Sequence, residues 1–393
     1  MKSDYWKWIS AAAMVAVTAT SISGCATPDS STPDGAPRPD LTVGAVDLSE
    51  VCPATITVQT DWNPQAEQGG LFELLGDNPV IDRTTASITG PLMTRGEYTG
   101  VDLQIRAGGP AIGQQAVSAQ MYTDPTITLG YVNTDEAIRL AASMPTTAVF
   151  APLEISPQII MWDPRTWPDV HTIADLGQTG ATVRYFGGAT YMDYLVSAGL
   201  LDRQQIDGGY DGTPGNWVAA AGKDAQQGFV GVEPYVYEHE LDTWTKPVRY
   251  QLIHDTGYAI YQNALSVRTD ELDGLAPCLK QLIPIMQRGS VDYLNSPDRA
   301  NALILHAVDT FDNGWIYSSG VANHSHQMMS RLGLVGNGNN ATLGDLDLDR
   351  SFHGREGSPG RGRQSRAREA CWRRLAAARA SRMSGTVLRT WSR

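Results

Sequence analysis

Two carboxylates, several aromatic residues and a pair of glycines stand where β-rich runs of this sequence end. Thr55–Thr60 leads into Asp61-Trp62. Ala181–Phe186, which contains Tyr185, leads into Gly187-Gly188-Ala189-Thr190. Gly228–Val232 leads into Glu233-Pro234-Tyr235, and Ile159–Trp162 ends on Trp162 itself. Ligands of open α/β sheets bind beyond the carboxyl ends of the strands, so these residues are candidates to line one cleft. Aromatic faces sandwich a flat or cationic group. A helix that starts after Gly187-Gly188 offers unpaired N–H groups to an anionic or carbonyl oxygen. Each residue also has a plain structural alternative. Asp61 caps the next turn, Trp62 and Trp162 are core aromatics, Gly187-Gly188 is only a tight turn, and Glu233 is a surface residue ahead of a proline. Their shared placement at strand ends is what singles them out.

Motifs of nucleophilic, zinc or phosphate chemistry are missing: there is no G-x-S-x-G, no H-E-x-x-H and no P-loop. His324-Ser325-His326 places two histidines at i and i+2 in a Gly/Asn-rich region, which reads as an exposed loop rather than a metal site. The expectation is a binding protein with no cofactor, no metal and no catalytic residue.

The elements that must position these residues alternate between short β runs and helical patterns from Pro53 to Asp349, the signature of α/β layers. Strands are expected at 55–60, 101–107, 126–132, 147–150 and 159–162, with a hairpin-bearing excursion over 77–98. Helical patterns cover 69–75 and 112–121, and Thr134 reads as an N-cap with Asp135 and Glu136 in the first turn. A second unit holds a helical turn at 173–176, a strand at 181–186, helices at 191–198 and 217–221, and a strand at 228–232. Strands at 248–254 and 259–267 return to the first unit, and helices at 276–286 and 298–311 close it.

The chain has 393 residues, a net charge of −12, 10 Trp and 15 Tyr, the balance of a globular protein. The charge is uneven. Residues 351–393 hold 11 Arg and only 2 acids, so residues 1–350 carry 19 basic and 40 acidic residues, a net of −21. An acidic body repels phosphates, which excludes nucleic acid as a partner. The tail changes composition abruptly to Arg, Ala, Gly and Ser without Lys. It reads as an aberrant, frameshifted end, with a genuine basic arm as the alternative.

The N-terminus reads as a signal peptide over residues 1–24. Lys2 and Lys7 precede the apolar, small-residue run Ile9–Ile22, which is too short to span a membrane. Ile22-Ser23-Gly24-Cys25 resembles a lipobox, so Cys25 is expected to carry the lipid, with an ordinary signal peptide and a chance cysteine as the alternative. Residues 25–48, rich in Pro, Ser, Thr and Asp, are expected to form a flexible linker. With Cys25 lipidated and Cys371 in the odd tail, Cys52 and Cys278 remain. They are expected to pair in an exported body, or else to be two buried thiols.

The run from Asp61 to Leu71, DWNPQAEQGGL, resembles the D-W-x-P-x-x-x-H-x-G-L opening of the thiamine-pyrimidine-precursor and nitrate/sulfonate/taurine-type solute-binding proteins of ABC importers. Weaker matches follow in order: Gly130-Tyr131, Trp162-Asp163-Pro164, Ala189–Leu195, Gly228–Tyr235 and Trp315-Ile316-Tyr317, so the resemblance covers about Ile56 to Asp349. It implies a two-lobe periplasmic-binding fold of the two-crossover (type II) kind. Lobe I would be 53–150 plus 256–350 and lobe II 151–255, hinged near Phe150–Ile155 and Tyr250–Thr256. Cys52 and Cys278 then both fall in lobe I.

The same resemblance implies that Asp61, Trp62 and Gln68 line the cleft from lobe I. Trp162, Tyr185, Gly188, Thr190, Glu233 and Tyr235 complete the expected site. Gln68 replaces the motif's histidine with an amide that cannot titrate. That departure argues against a pyrimidine precursor, and the acidic, aromatic cleft favours a neutral or amine-bearing organic molecule over nitrate. The implied role is capture of a small solute by a monomer, lipid-anchored on the extracytoplasmic face, for an ABC permease and its ATPase. The alternatives are a ligand sensor for a receptor and an enzyme like thiamine-pyrimidine synthase, which consumes the histidine that this chain lacks.

Overall fold

Apolar residues recurring every second position require sheets with one or both faces covered, and the chain builds two. The computed structural model describes residues 41–338, 341–347 and 350. The expectations for the signal peptide, Cys25, most of the linker and the 351–393 tail lie outside these residues.

The first sheet contains β1 (Thr55–Gln59), β2 (Val80–Asp82), β3 (Ser87–Thr94), β4 (Glu97–Arg106), β5 (Leu129–Val132) and β6 (Thr146–Phe150). The second contains β7 (Gln158–Trp162), β8 (Val183–Arg184), β9 (Ile206–Asp207), β10 (Ala225–Phe229) and β11 (Arg249–Leu252). A last strand, β12 (Ala264–Arg268), returns to the first. The orders are β2-β3-β4-β1-β5-β12-β6 and β11-β7-β10-β8-β9. The chain therefore crosses from the first sheet to the second between Phe150 and Gln158, and back between Leu252 and Ala264. This is a two-lobe α/β fold with two crossovers.

β1 pairs in parallel with both β4 and β5, at the centre of its sheet. β3 and β4 form a hairpin closed by Arg95-Gly96, both at positive φ (52° and 78°), the geometry of a two-residue turn that matches strand twist. The expected strand at 101–107 is thus the second half of a longer one.

β7 shows how alternation divides the interior. Ile159 and Met161 join the main apolar cluster, which runs from Ile56 and Val58 to Val230 and Tyr237. Ile160 and Trp162 point the other way, into a second cluster with Val183, Tyr191 and Leu195.

Helices follow as α1 (Gly69–Phe72), α2 (Val117–Thr123), α3 (Thr134–Leu140), α4 (Ile173–Leu176), α5 (Thr190–Ser197), α6 (Gly215–Ala219), α7 (Glu233–Tyr235), α8 (Leu272–Asn295), α9 (Asp298–Phe311) and α10 (Ser319–Arg331). α4 is capped reciprocally by Thr172 and Asp175. α8 overruns its expected span of 276–286 in both directions and contains Pro277 and Pro284. Its buried face of Cys278, Leu279, Leu282, Ile285, Met286, Gly289 and Tyr293 continues past both prolines. Packing of that stripe outweighs the donors the prolines remove.

Several expectations are corrected. The N-cap of α3 is Asn133, and Thr134 is its first residue. The Thr134 hydroxyl instead accepts the N–H of Tyr261 at 3.1 Å. The strand expected at 228–232 ends at Phe229, because Gly231 and Val232 already turn into α7. His324 and His326 are not loop residues: both lie half-buried on α10. The segment 41–48, expected as the end of a linker, docks on β4 through Gly44 N–H to Tyr98 O and Leu48 N–H to Thr99 O, each 2.8 Å, and Leu48 is wholly buried.

Cys52 and Cys278 form a disulfide that ties the segment before β1 to α8. At the other end, residues 341–347 and Arg350 brace both crossovers. Ala151 N–H donates to Gly344 O at 2.9 Å, and Asp347 N–H donates to the Tyr261 hydroxyl at 2.8 Å. Arg350 pairs with Glu154 at 2.5 Å and lies over the Tyr261 ring.

Candidate functional site

β1 ends at Gln59, whose side-chain amide donates to the carbonyls of Thr60 and Ala107 and so joins the ends of β1 and β4. The next residues are pinned by their backbone. The Trp62 carbonyl accepts the Gly108 N–H at 2.9 Å and the Thr60 hydroxyl at 2.8 Å. Gly108 and Gly109 make this possible. A Cβ on Gly108 would lie 2.2 Å from Thr60 O, and one on Gly109, which has φ +56°, would lie 2.5 Å from the Trp62 ring. The loop at 63–66 is held from the other side by the residues after α9. Asn313 donates to Asn63 at 2.7 Å, the Trp315 indole N–H donates to Pro64 O at 3.3 Å, and Ala66 N–H donates to the Tyr317 hydroxyl at 2.8 Å.

Thus fixed, Trp62 reaches the second lobe. Its ring lies 5.6 Å from that of Phe186 and 6.0 Å, edge-on, from that of Trp315. Phe186 packs on Tyr210 at 4.8 Å, and a Cβ on Gly212 would lie 3.5 Å from the Phe186 ring and 3.9 Å from the Trp62 indole. Asp61 precedes Trp62 in the chain, and Glu67 lies near enough to Asp61 for the two carboxyls to repel. Glu67 is 5% exposed. Oδ1 of Asp61 and Oε2 of Glu67 are sealed from solvent and have no hydrogen-bond partner.

Glu233 faces them from the second lobe. It curls back so that its Oε2 accepts the Phe229 N–H at 2.6 Å, and it accepts the Tyr210 hydroxyl. Gly228 admits this fold, since a Cβ there would lie 3.1 Å from the Glu233 carboxyl carbon. A Cβ on Gly231 would lie 3.0 Å from Glu67 Oε1. The two glutamates therefore rest on one loop.

Burial raises all three carboxyls. Asp61 is pushed up to about 7, with Glu136 adding repulsion. Glu67 is pushed up to about 7, with Glu233 and Asp61 adding repulsion. Glu233 reaches about 7 despite the Phe229 N–H that favours its charged form. The charged groups acting on these three, among the described residues, are other carboxylates. A cavity of about 20 Å³ borders Glu67, Tyr131 and Phe150. That is room for about one water, and its other walls come from α8 and α10 rather than from the second sheet.

The other expected residues do not meet here. Trp162 is wholly buried and donates its indole N–H to Val170 O at 3.1 Å. Strand alternation drives it into the second core, away from any cleft. Gln68 is 1% exposed, and its amide donates to Asn63 O at 3.2 Å, so it braces the loop that carries Asp61 and Trp62. Tyr235 lies between His239 and His324, with its hydroxyl against Gly320 of α10. Gly188 is exposed at φ +86° with open space around it, as a turn requires. Tyr185 sits edge-on to Tyr191 beside the second core. Thr190 bonds Tyr258, whose hydroxyl donates to Asp135 at 2.7 Å, a bridge from α5 to α3. Asp61, Trp62 and Glu233 do converge.

Sequence reasoning passed over Glu67, Tyr210 and Trp315. Glu67 occupies a variable position of the motif, and its burial among acids has no local sign. Trp315 and Tyr317 lie in the last of the matched segments, which was the available clue.

No family model matches the chain, and no curated protein matches it. Solved structures do resemble it. The periplasmic aliphatic sulphonate binding protein SsuA from Escherichia coli is 13% identical at a TM-score of 0.47, covering 84% of this chain and 89% of that one. The alkanesulfonate-binding protein SsuA from Xanthomonas axonopodis pv. citri bound to MOPS is 16% identical at 0.43, covering 83% and 94%. An ABC transporter protein from Parabacteroides distasonis is 12% identical at 0.42, covering 70% and 85%.

Proposed function

We propose that this chain is the extracytoplasmic solute-binding component of an ABC importer, which captures a small organic solute between two lobes and delivers it to a permease. The observation that carries the reading is the meeting of Trp62, from the end of β1, with Phe186, from the end of β8, beside carboxylates of both lobes. An aromatic shelf and buried, unpartnered acceptors at strand ends suit recognition of a ligand. The motif resemblance of Asp61–Leu71 supports the same assignment.

In this reading lobe I is 53–150 plus 256–350 and lobe II is 151–255. The strands of each sheet fall within these bounds. Solute favours the closed state because only that state contacts it from both sides. The chain acts as a monomer, and a lipid on Cys25 tethers it to the membrane.

The test is small-angle X-ray scattering of the purified chain with and without each member of a panel of sulfonates, nitrate, amines, thiamine precursors and nucleobases, beside thermal unfolding. A solute at 100 times its Kd adds about 2.7 kcal/mol of stability and compacts the particle. A folded protein that shows neither response to any solute would sink the proposal.

A further inference from the structure

Burying a charge without a partner is expensive; this fold buries Glu67 and half-buries Asp61 and Glu233, and among the described residues the charged groups acting on Asp61 and Glu67 are other carboxylates. Glu67 is 95% removed from solvent, its Oε2 meets no donor, and its Oε1 faces the bare backbone of Gly231. Asp61 Oδ1 is equally sealed. Glu233 comes from the other lobe to the same loop, held there by the Phe229 N–H at 2.6 Å. Trp62, the chain neighbour of Asp61, reaches Phe186 of the other lobe and offers an aromatic surface suited to a cation.

Resting on the solute-binding reading above, we propose that Glu67 and Glu233, with Asp61, form the recognition site for the ammonium or amidinium group of a flat organic cation whose ring lies against Trp62. Glu67 is the specificity-determining residue. It supplies an acceptor from lobe I that only the bound cation satisfies, and Glu233 supplies its counterpart from lobe II. The cation thereby neutralises repulsion that otherwise opposes closure. Among the described residues no group of three His, Cys, Asp or Glu is arranged to hold a metal ion. The spread of acceptors suits a planar, multi-donor organic group. The same charges reject sulfonates and nitrate.

The test uses the purified full-length chain and its Glu67→Gln and Glu233→Gln variants. The probes are benzamidine, tryptamine and phenethylamine, each beside a neutral amide and a sulfonate counterpart, with calcium chloride alone as the inorganic arm. Calorimetry and thermal unfolding are read for each. The expected result is saturable binding of a cation that weakens at least tenfold in both variants. Unliganded variants should melt no lower than the parent, because each loses a buried repulsion. Tighter binding of neutral or sulfonate probes than of cations, or cation affinity unchanged in both variants, overturns the charge assignment and leaves solute binding standing. A response to calcium alone overturns the organic assignment. No response to any probe class, from folded protein, overturns the proposal and counts against the solute-binding reading with it.

Discussion

The Trp62 indole meets the Phe186 ring at 5.6 Å although the two residues follow strands of different sheets. Among the described residues no other ring pair joins the ends of β1 and β8. Replacing Trp62 with Ala removes the shelf and should abolish solute binding. The aromatic pairing itself contributes about 0.5–1.5 kcal/mol beyond burial, so the melting temperature should fall by only a few degrees. Calorimetric titration beside a melting curve checks this, and a variant that fails to fold would assign Trp62 to the core.

Trp162→Ala should behave in the opposite way. Its side chain is wholly buried in the second core and its N–H is satisfied by Val170. Truncating it should cost roughly 3–5 kcal/mol. Urea unfolding would show the loss as a lower midpoint with little change in slope. Solute affinity of the fraction that stays folded should change little.

The unliganded protein should become less stable as pH rises from about 4 to about 7. The carboxyls of Asp61, Glu67 and Glu233 are raised to about 7 by burial, each in sight of other acids or of the Tyr210, Tyr131 and Tyr317 hydroxyls. Across that window the unfolded chain ionises while the folded one keeps its protons, so stability falls with pH and levels off above the folded values. All three carboxyls act with the same sign, so their losses add. Urea midpoints from pH 4 to 8 test the sign. In the Glu67→Gln variant the slope should be shallower.

Reduction of the Cys52–Cys278 bond opens a loop of 226 residues. Loss of such a link typically costs about 2–5 kcal/mol. Melting with and without reductant, beside the Cys52→Ser/Cys278→Ser double variant, should give matching decreases. A reductant effect that persists in the double variant would point elsewhere.

The α/β alternation and the strand ends were legible because periodicity and glycine punctuation are local. Asp61, Trp62 and Glu233 were singled out by that rule. The same rule failed for Trp162, since a strand-end residue faces the cleft or the core according to alternation parity. A β7 buried on both faces hides that parity in the unbroken run Ile159–Trp162. Gln68 was read by analogy to a motif position, but its short reach to Asn63 O turns it inward. Glu67 was passed over because its burial arises from Gly231 and Glu233, more than 160 positions downstream. α10 escaped notice because its Asn, Ser and His content lowers the helical signal, while Val321, Ala322, Ser325, Met328 and Met329 still form a buried stripe.

The disulfide has a mechanical meaning as well. Residues 43–48 lie along β4 by single hydrogen bonds, a weak zipper that could be peeled. The peel stops at Cys52, three residues before β1 begins, and the load passes through sulfur into the 24-residue α8. Tension entering from the N-terminal side is therefore shared between β1, whose end carries Asp61 and Trp62, and α8, rather than falling on the strand alone.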